Sequence, residues 1–259
     1  MNMMKDAFNL HIIGDKNEKK VLLIHGVGFY WETCFEKLIK QLEDHCCIIV
    51  PELEGHCKQP SSVMTSVMNT ADKIVEELKN AGIKTIDLVY GISLGASIAL
   101  EICLKKQIEL KCMLLDSGQY ESMGEMTQQF SEIMTQQFLG ILKGEHLMSP
   151  VKENMGYFRN QDIEVLQPLI YPEINENVLY HAFMSAYSYD IQEREEHIDI
   201  KTLIMLGGNE LYAKRSIQLI EAKCLLKPQV LEFPEKGHAE VLSLEPEKIG
   251  NVILKEILK

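Results

Sequence analysis

No stretch of 18 consecutive apolar residues occurs anywhere in the chain, so no membrane-spanning helix is expected. Basic residues are scarce: 26 Lys and Arg stand against 38 Asp and Glu, a formal charge of −12. That balance excludes the basic patch a nucleic-acid or anionic-membrane partner requires, leaving a small molecule as the expected ligand. Cysteine is present, at positions 34, 46, 47, 57, 103, 112 and 224, but C-x-x-C spacing is absent and the number is odd. The thiols therefore read as reduced core residues of a cytoplasmic protein, not as a disulfide framework or a zinc or redox pair. Residues 1–6 are polar and show no charged-then-apolar leader, so no signal peptide is expected.

Three cofactor motifs are also missing. Gly26-Val27-Gly28 follows an apolar run, but Trp31 occupies the place of the third glycine a dinucleotide fold needs. No G-x-x-x-x-G-K-[ST] occurs. His238-Ala239-Glu240 lacks the P-C-x-x-C partner of a zinc deaminase. No cofactor and no metal are expected.

What is present is α/β rhythm. Residues 8–13 alternate weakly, as an edge strand does, and 14–17 carry turn chemistry. Unbroken apolar runs at 21–24 and 47–50, and mostly apolar segments at 86–90 and 111–115, fit strands buried on both faces. Between them, apolar residues at helical spacing mark helices near 31–43, 71–80 and 96–106, and a loop spans 52–60. This β-α-β-α-β-α-β order predicts a mostly parallel central sheet with helices on both faces. The rhythm stops over 119–197, where Met126, Phe130, Met134 and Phe138 recur at helical spacing and further helices are expected at 163–169 and 178–189. It resumes with strands at 202–206 and 229–233, a helix at 216–226 and a helical C-terminus. The chain thus reads as one core, 1–118 with 198–259, carrying a helical insertion, 119–197, whose Met and aromatic content suits an adaptable lid over a pocket.

Gly91-Ile92-Ser93-Leu94-Gly95 lies where a strand meets a helix. The two glycines remove side chains that would collide across so sharp a turn, leaving Ser93 at its tip beside the first helical N–H groups. Glu210 and His238 stand at the ends of later strands, where ligands of an open parallel sheet bind. The order Ser, acid, His is that of a nucleophile elbow joined by partners from later loops.

On these residues the chain resembles the α/β-hydrolase superfamily, over nearly everything outside the insertion. The resemblance implies that Ser93 is the nucleophile, His238 after Gly237 the general base and Glu210 the triad acid. It also implies that His25-Gly26-Val27-Gly28 is the oxyanion loop, with the N–H groups of Val27 and Leu94 as donors, and that the insertion is the helical cap. The chain departs from the family in having Glu where Asp is commoner as the acid, and Glu52 and Cys57 where Asp and Gly are usual. Asp116, at the end of the strand after the nucleophile helix, is the alternative acid. Phe29 and Tyr30 are candidates to line the substrate pocket, and His25 reads as a brace of its own loop. His11, His45, His56, His146, His181 and His197 are given no role.

The chemistry expected is serine-dependent hydrolysis of a carboxylic ester or related acyl bond of a small, fairly apolar molecule, through an acyl-enzyme on Ser93. The same triad serves C–C bond hydrolases, lyases and cofactor-free synthases, and a non-catalytic binding protein could keep the pocket alone.

Overall fold

The computed structural model describes residues 9–14, 18–57 and 62–259. Expectations for 1–8, 15–17 and 58–60 lie outside those residues. In chain order the strands are β1 (Leu10–Ile13), β2 (Lys20–Ile24), β3 (Cys47–Pro51), β4 (Thr85–Ile86), β5 (Leu88–Ile92), β6 (Glu109–Leu110), β7 (Cys112–Asp116), β8 (Lys201–Gly207) and β9 (Gln229–Phe233). The helices are α1 (Trp31–Leu42), α2 (Val67–Asn80), α3 (Leu94–Lys105), α4 (Thr127–Leu142), α5 (Ser149–Asn154), α6 (Asp162–Leu166), α7 (Glu176–Ser188), α8 (Ala213–Lys223), α9 (Glu240–Leu244) and α10 (Pro246–Ile257).

Seven strands form one sheet in the order β1-β3-β2-β5-β7-β8-β9. Only β1 runs antiparallel, pairing Leu10 with Pro51 and Ile13 with Ile48. The strands β2, β3, β5 and β7 are buried almost throughout, as their predominantly apolar sequences require. Helix α1 packs beside α10 and α2 beside α3, flanking the sheet. Helix α1 turns Phe35, Leu38, Ile39 and Leu42 inward at helical spacing. By contrast α3 is buried from Leu94 to Leu104, which explains its small, apolar and barely amphipathic sequence.

Two differences from the sequence reading concern the run around 86–90 and the C-terminal helix. Ile86 belongs to a separate two-stranded pair with β6, and the strand leading to Ser93 begins at Leu88. Asp87 divides them: its carboxylate accepts the Lys20 N–H at 2.9 Å and pairs with Lys111 at 2.9 Å. At the C-terminus the expected helix is two, α9 and α10, meeting at Glu245.

The register aligns the carboxyl ends of the central strands. Ile92 pairs with Asp116, Asp116 with Met205, and Gly207 with Phe233. Ser93, Ser117 and the loops after β8 and β9 therefore emerge side by side along one edge of the sheet. The helices α4 to α7 enter the chain between β7 and β8, at that same edge.

Candidate active site

Ser93 sits at φ 55°, ψ −120°, a conformation that side chains rarely adopt. The turn holds it there because backbone fills the space on both sides. A Cβ on Gly91 would lie 2.2 Å from the Gly95 carbonyl oxygen, and one on Gly95 would lie 2.1 Å from that of Ile24. Only glycine fits at either position. The Ser93 N–H donates to the Asp116 carbonyl at 2.8 Å, fixing the elbow to β7.

The loop after β2 approaches Ser93 for a related reason. A Cβ at Gly26 would stand 3.2 Å from Ser93 Cβ, and Gly28 has φ 74° with Leu179 and Phe138 packed against it. Val27 and Leu94 thus reach the same cavity wall as Ser93. His56 holds this loop: its Nε2 accepts the Gly28 N–H at 2.9 Å while its Nδ1 donates to the Glu54 carbonyl at 3.0 Å. His25 donates from Nδ1 to the Gly26 carbonyl at 2.9 Å, within its own loop. Burial drives both imidazoles toward neutrality, His25 down to about 3, with His56 beside it adding to the effect, and His56 down to about 4. Unfolding frees both to bind protons at the ordinary histidine value. Their contribution to stability is therefore complete above about pH 6.5 and is lost as pH falls toward the folded values. Tm is expected to drop between pH 6.5 and 4, and His56→Gln to flatten part of that slope in thermal melts; an identical slope in the variant would exclude His56 as a source.

His238 is held by its backbone. Its N–H donates to the Met155 carbonyl at 2.8 Å, and its carbonyl accepts the Tyr157 hydroxyl. Glu240 fixes the same loop by accepting the Gly237 N–H at 2.9 Å, and it pairs with Arg159 and Lys236. Segment 154–161 of the insertion is thus tied to the His238 loop, and Asn154 also accepts the Leu211 N–H at 3.2 Å next to Glu210.

The imidazole Nδ1 lies 3.1 Å from Glu210 Oε2 and 2.7 Å from the Tyr212 oxygen. Tyr212 in turn donates to Glu210 Oε2 at 2.6 Å. On the other carboxylate oxygen, Glu210 Oε1 accepts the Gly207 N–H at 2.7 Å and is met by Ser117 Oγ at 2.7 Å. Burial alone would raise the Glu210 carboxyl, but His238, Tyr212 and Ser117 outweigh it and hold the group below its ordinary range. Asp116 reaches this cluster only through Ser117, 2.9 Å from its Oδ1. Of the two acids weighed from sequence, Glu210 is the one in contact with the imidazole.

Ser93, His238, Val27 and Leu94 line one cavity of about 370 Å³. Its far wall comes from the insertion: Met123, Phe130, Met134, Phe138, Met155 and Phe183. Polar groups are few, among them Ser97, Gln119, Asn154, Tyr187 and Tyr212, and no Asp, Glu, Lys or Arg lines the space. Phe29 is part of the wall, in a bridge to Ile170. Tyr30, expected beside it, is not. Its N–H bonds the Leu169 carbonyl at 2.9 Å, and its ring packs on Tyr171, centroids 4.7 Å apart. Among the described residues no group of three or more His, Cys, Asp or Glu side chains could hold a metal ion, and no helix is long and apolar enough to cross a membrane.

A mostly parallel sheet with a serine at a strained strand-to-helix turn, and a carboxylate-bound histidine facing the same cavity, defines an α/β-hydrolase architecture. Residues 21–249 match the model of the alpha/beta hydrolase family, and the chain belongs to that family. Hydrolase is the enzyme class this membership supports. The structure is similar to that of an alpha/beta hydrolase family protein from Desulfitobacterium hafniense, with 48% identity, a TM-score of 0.94, and coverage of 97% of this chain and 100% of that one. A lipase-esterase related protein from Clostridium acetobutylicum shares the fold at 20% identity and TM-score 0.73, over 96% of this chain and 99% of its own. A thermophilic esterase from Thermogutta terrifontis does so at 19% identity and TM-score 0.73, over 96% and 92%. A search of curated proteins returned no match.

Proposed function

We propose that this protein is a serine hydrolase of uncharged carboxylic esters or related acyl compounds, with Ser93, His238 and Glu210 as its catalytic triad. The observation that carries this reading is the convergence of Ser93 and a Glu210-bound His238 on one apolar cavity. Ser93 Oγ attacks the acyl carbon as His238 Nε2 takes its proton. Glu210 keeps the hydrogen on Nδ1 and stabilises the imidazolium without taking its proton. The backbone N–H groups of Val27 and Leu94 face the developing oxyanion, where loss of one such donor typically costs about 3 kcal/mol. His238 then protonates the leaving group, and water, activated by the same imidazole, releases the acid.

The insertion, 119–197, acts in this reading as the cap that shapes the acyl site. Its Met and Phe side chains accept an apolar acyl group, and soft methionines allow some variety of shape. A substrate carboxylate would have to be buried there without a counter-charge, which costs several kcal/mol. An ester with a carboxylate at the far end of its acyl chain is therefore expected to show a kcat/KM at least about 100-fold below that of its methyl-ended counterpart. Steady-state kinetics on matched pairs of such esters test this. Equal values for the two would contradict a neutral acyl site.

A further inference from the structure

Ser117 joins the two buried carboxylates of the site. Its Oγ is 2.9 Å from Asp116 Oδ1 and 2.7 Å from Glu210 Oε1. A hydroxyl owns one hydrogen and can serve only one of these oxygens as donor. With both acids ionised, one contact would press two electron-rich oxygens together with no proton between them. Both carboxylates are about 4% exposed, so water cannot relieve that contact.

The remaining donors decide which acid carries the extra proton. Glu210 accepts the Gly207 N–H and the Tyr212 hydroxyl, and faces His238 Nδ1, so its charge is well supported. The Asp116 carboxyl receives only the Tyr90 hydroxyl besides, at 2.7 Å on Oδ2. Its Oδ1 is the oxygen placed to donate.

We propose that Asp116 carries a proton in the working enzyme and acts as a positioning residue, donating from Oδ1 to Ser117 so that Ser117 donates to Glu210 and locks that carboxylate toward His238. The inference rests on the triad reading above and adds to it a second acid with no hydrogen bond of its own to the imidazole.

The surroundings of Asp116 agree with this. The ionisable side chains facing it are Tyr90 from β5, Glu210 and Tyr212 from the segment after β8, His238 from the loop after β9, and Tyr120. None is a lysine or arginine. Burial pushes the carboxyl up to about 7, with Glu210 adding to the rise and the Tyr90 and Ser117 hydroxyls opposing it. The tyrosines are themselves raised by burial and stay neutral. As pH rises through about 7, Asp116 loses its proton and takes the hydrogen of Ser117. Glu210 then loses a donor and gains a like charge beside it.

Two measurements test the proposal together. Infrared spectra of the substrate-free protein should show the carbonyl band of a buried, protonated carboxylic acid, absent from Asp116→Asn. In kinetics, Asp116→Ala should lower kcat about tenfold with KM within about twofold, since Ser117 loses its donor. Asn, whose amide donates to Ser117 and accepts from Tyr90 as the protonated acid does, should restore most of that loss. It should also remove the decline in kcat/KM that is expected of the wild type as Asp116 ionises. No such band in the wild type overturns the proposal, as does a band that persists in Asp116→Asn and vanishes in Glu210→Gln. So does an Asn variant no better than Ala. Because the infrared experiment needs no turnover, failure of the triad reading would appear separately, as a folded protein with the band but without hydrolysis.

Discussion

A Glu210→Gln enzyme is expected to lose on the order of 10⁴-fold in kcat, by reversing the histidine tautomer. The local donors dictate which way the amide must turn. Gly207 N–H and Ser117 both donate to the Oε1 position, so the amide oxygen is fixed there. The NH₂ group then occupies the Oε2 position, facing His238 Nδ1 and the Tyr212 hydroxyl. A donor opposite Nδ1 moves the imidazole hydrogen to Nε2, and that nitrogen can no longer accept the serine proton. Tyr212 keeps an acceptor for its hydrogen in the Ser117 carbonyl, 3.1 Å away, but carries no charge with which to stabilise the imidazolium. The fold should survive, since Gln is isosteric and both donors to Oε1 remain paired. Measured kcat for Glu210→Gln beside Asp116→Ala separates the two acids: a fall of about 10⁴ against about tenfold is expected. A Glu210→Gln enzyme with wild-type turnover would contradict the acid assignment.

The largest effect is expected of Ser93→Ala, about 10⁵- to 10⁶-fold in kcat with KM little changed. The hydroxyl is the one protein group that bonds covalently to the substrate in the reaction proposed here, whereas the cavity that binds the acyl group stays intact. Stability should change little. Alanine adopts the φ of 55° no more easily than serine does, and the Ser93 backbone bonds to the Asp116 carbonyl and from Ala96 do not involve the hydroxyl. Thermal melts of the two proteins, run beside the kinetics, distinguish a lost nucleophile from a lost fold.

The core of the fold was legible because central parallel strands are buried on both faces and spell continuous apolar runs. The elbow was legible because its glycines answer a local steric demand: Gly91 and Gly95 are needed within one turn of chain. The supporting residues were not legible, because their partners are far away in sequence. Ser117 meets Glu210 across 93 positions, Tyr157 meets His238 across 81, and His56 meets Gly28 across 28. Tyr212, two residues from Glu210, gave no signal, since an aromatic at the start of a helix is ordinarily core. Sequence favoured Glu210 over Asp116 by its place after Gly207, but left Asp116 standing as an alternative for a geometric reason. Their strands, β7 and β8, are neighbours in the sheet, so both acids leave it at the same edge. Phe29 and Tyr30 were equally plausible at the pocket, and consecutive residues on an extended segment face opposite ways. The bridge of Phe29 to Ile170 leaves Phe29 at the cavity and Tyr30 against Tyr171.

The central claim is that Ser93 is a nucleophile activated by His238. A fluorophosphonate probe tests it most directly, because an activated serine displaces its fluoride and becomes phosphonylated, whereas ordinary hydroxyls do not react. Intact-protein and peptide mass spectrometry of the treated wild type should show one adduct, on the peptide containing Ser93. It should be absent from Ser93→Ala and strongly slowed in His238→Gln. A folded wild-type protein that takes up no probe, or takes it up on another residue, would contradict the account.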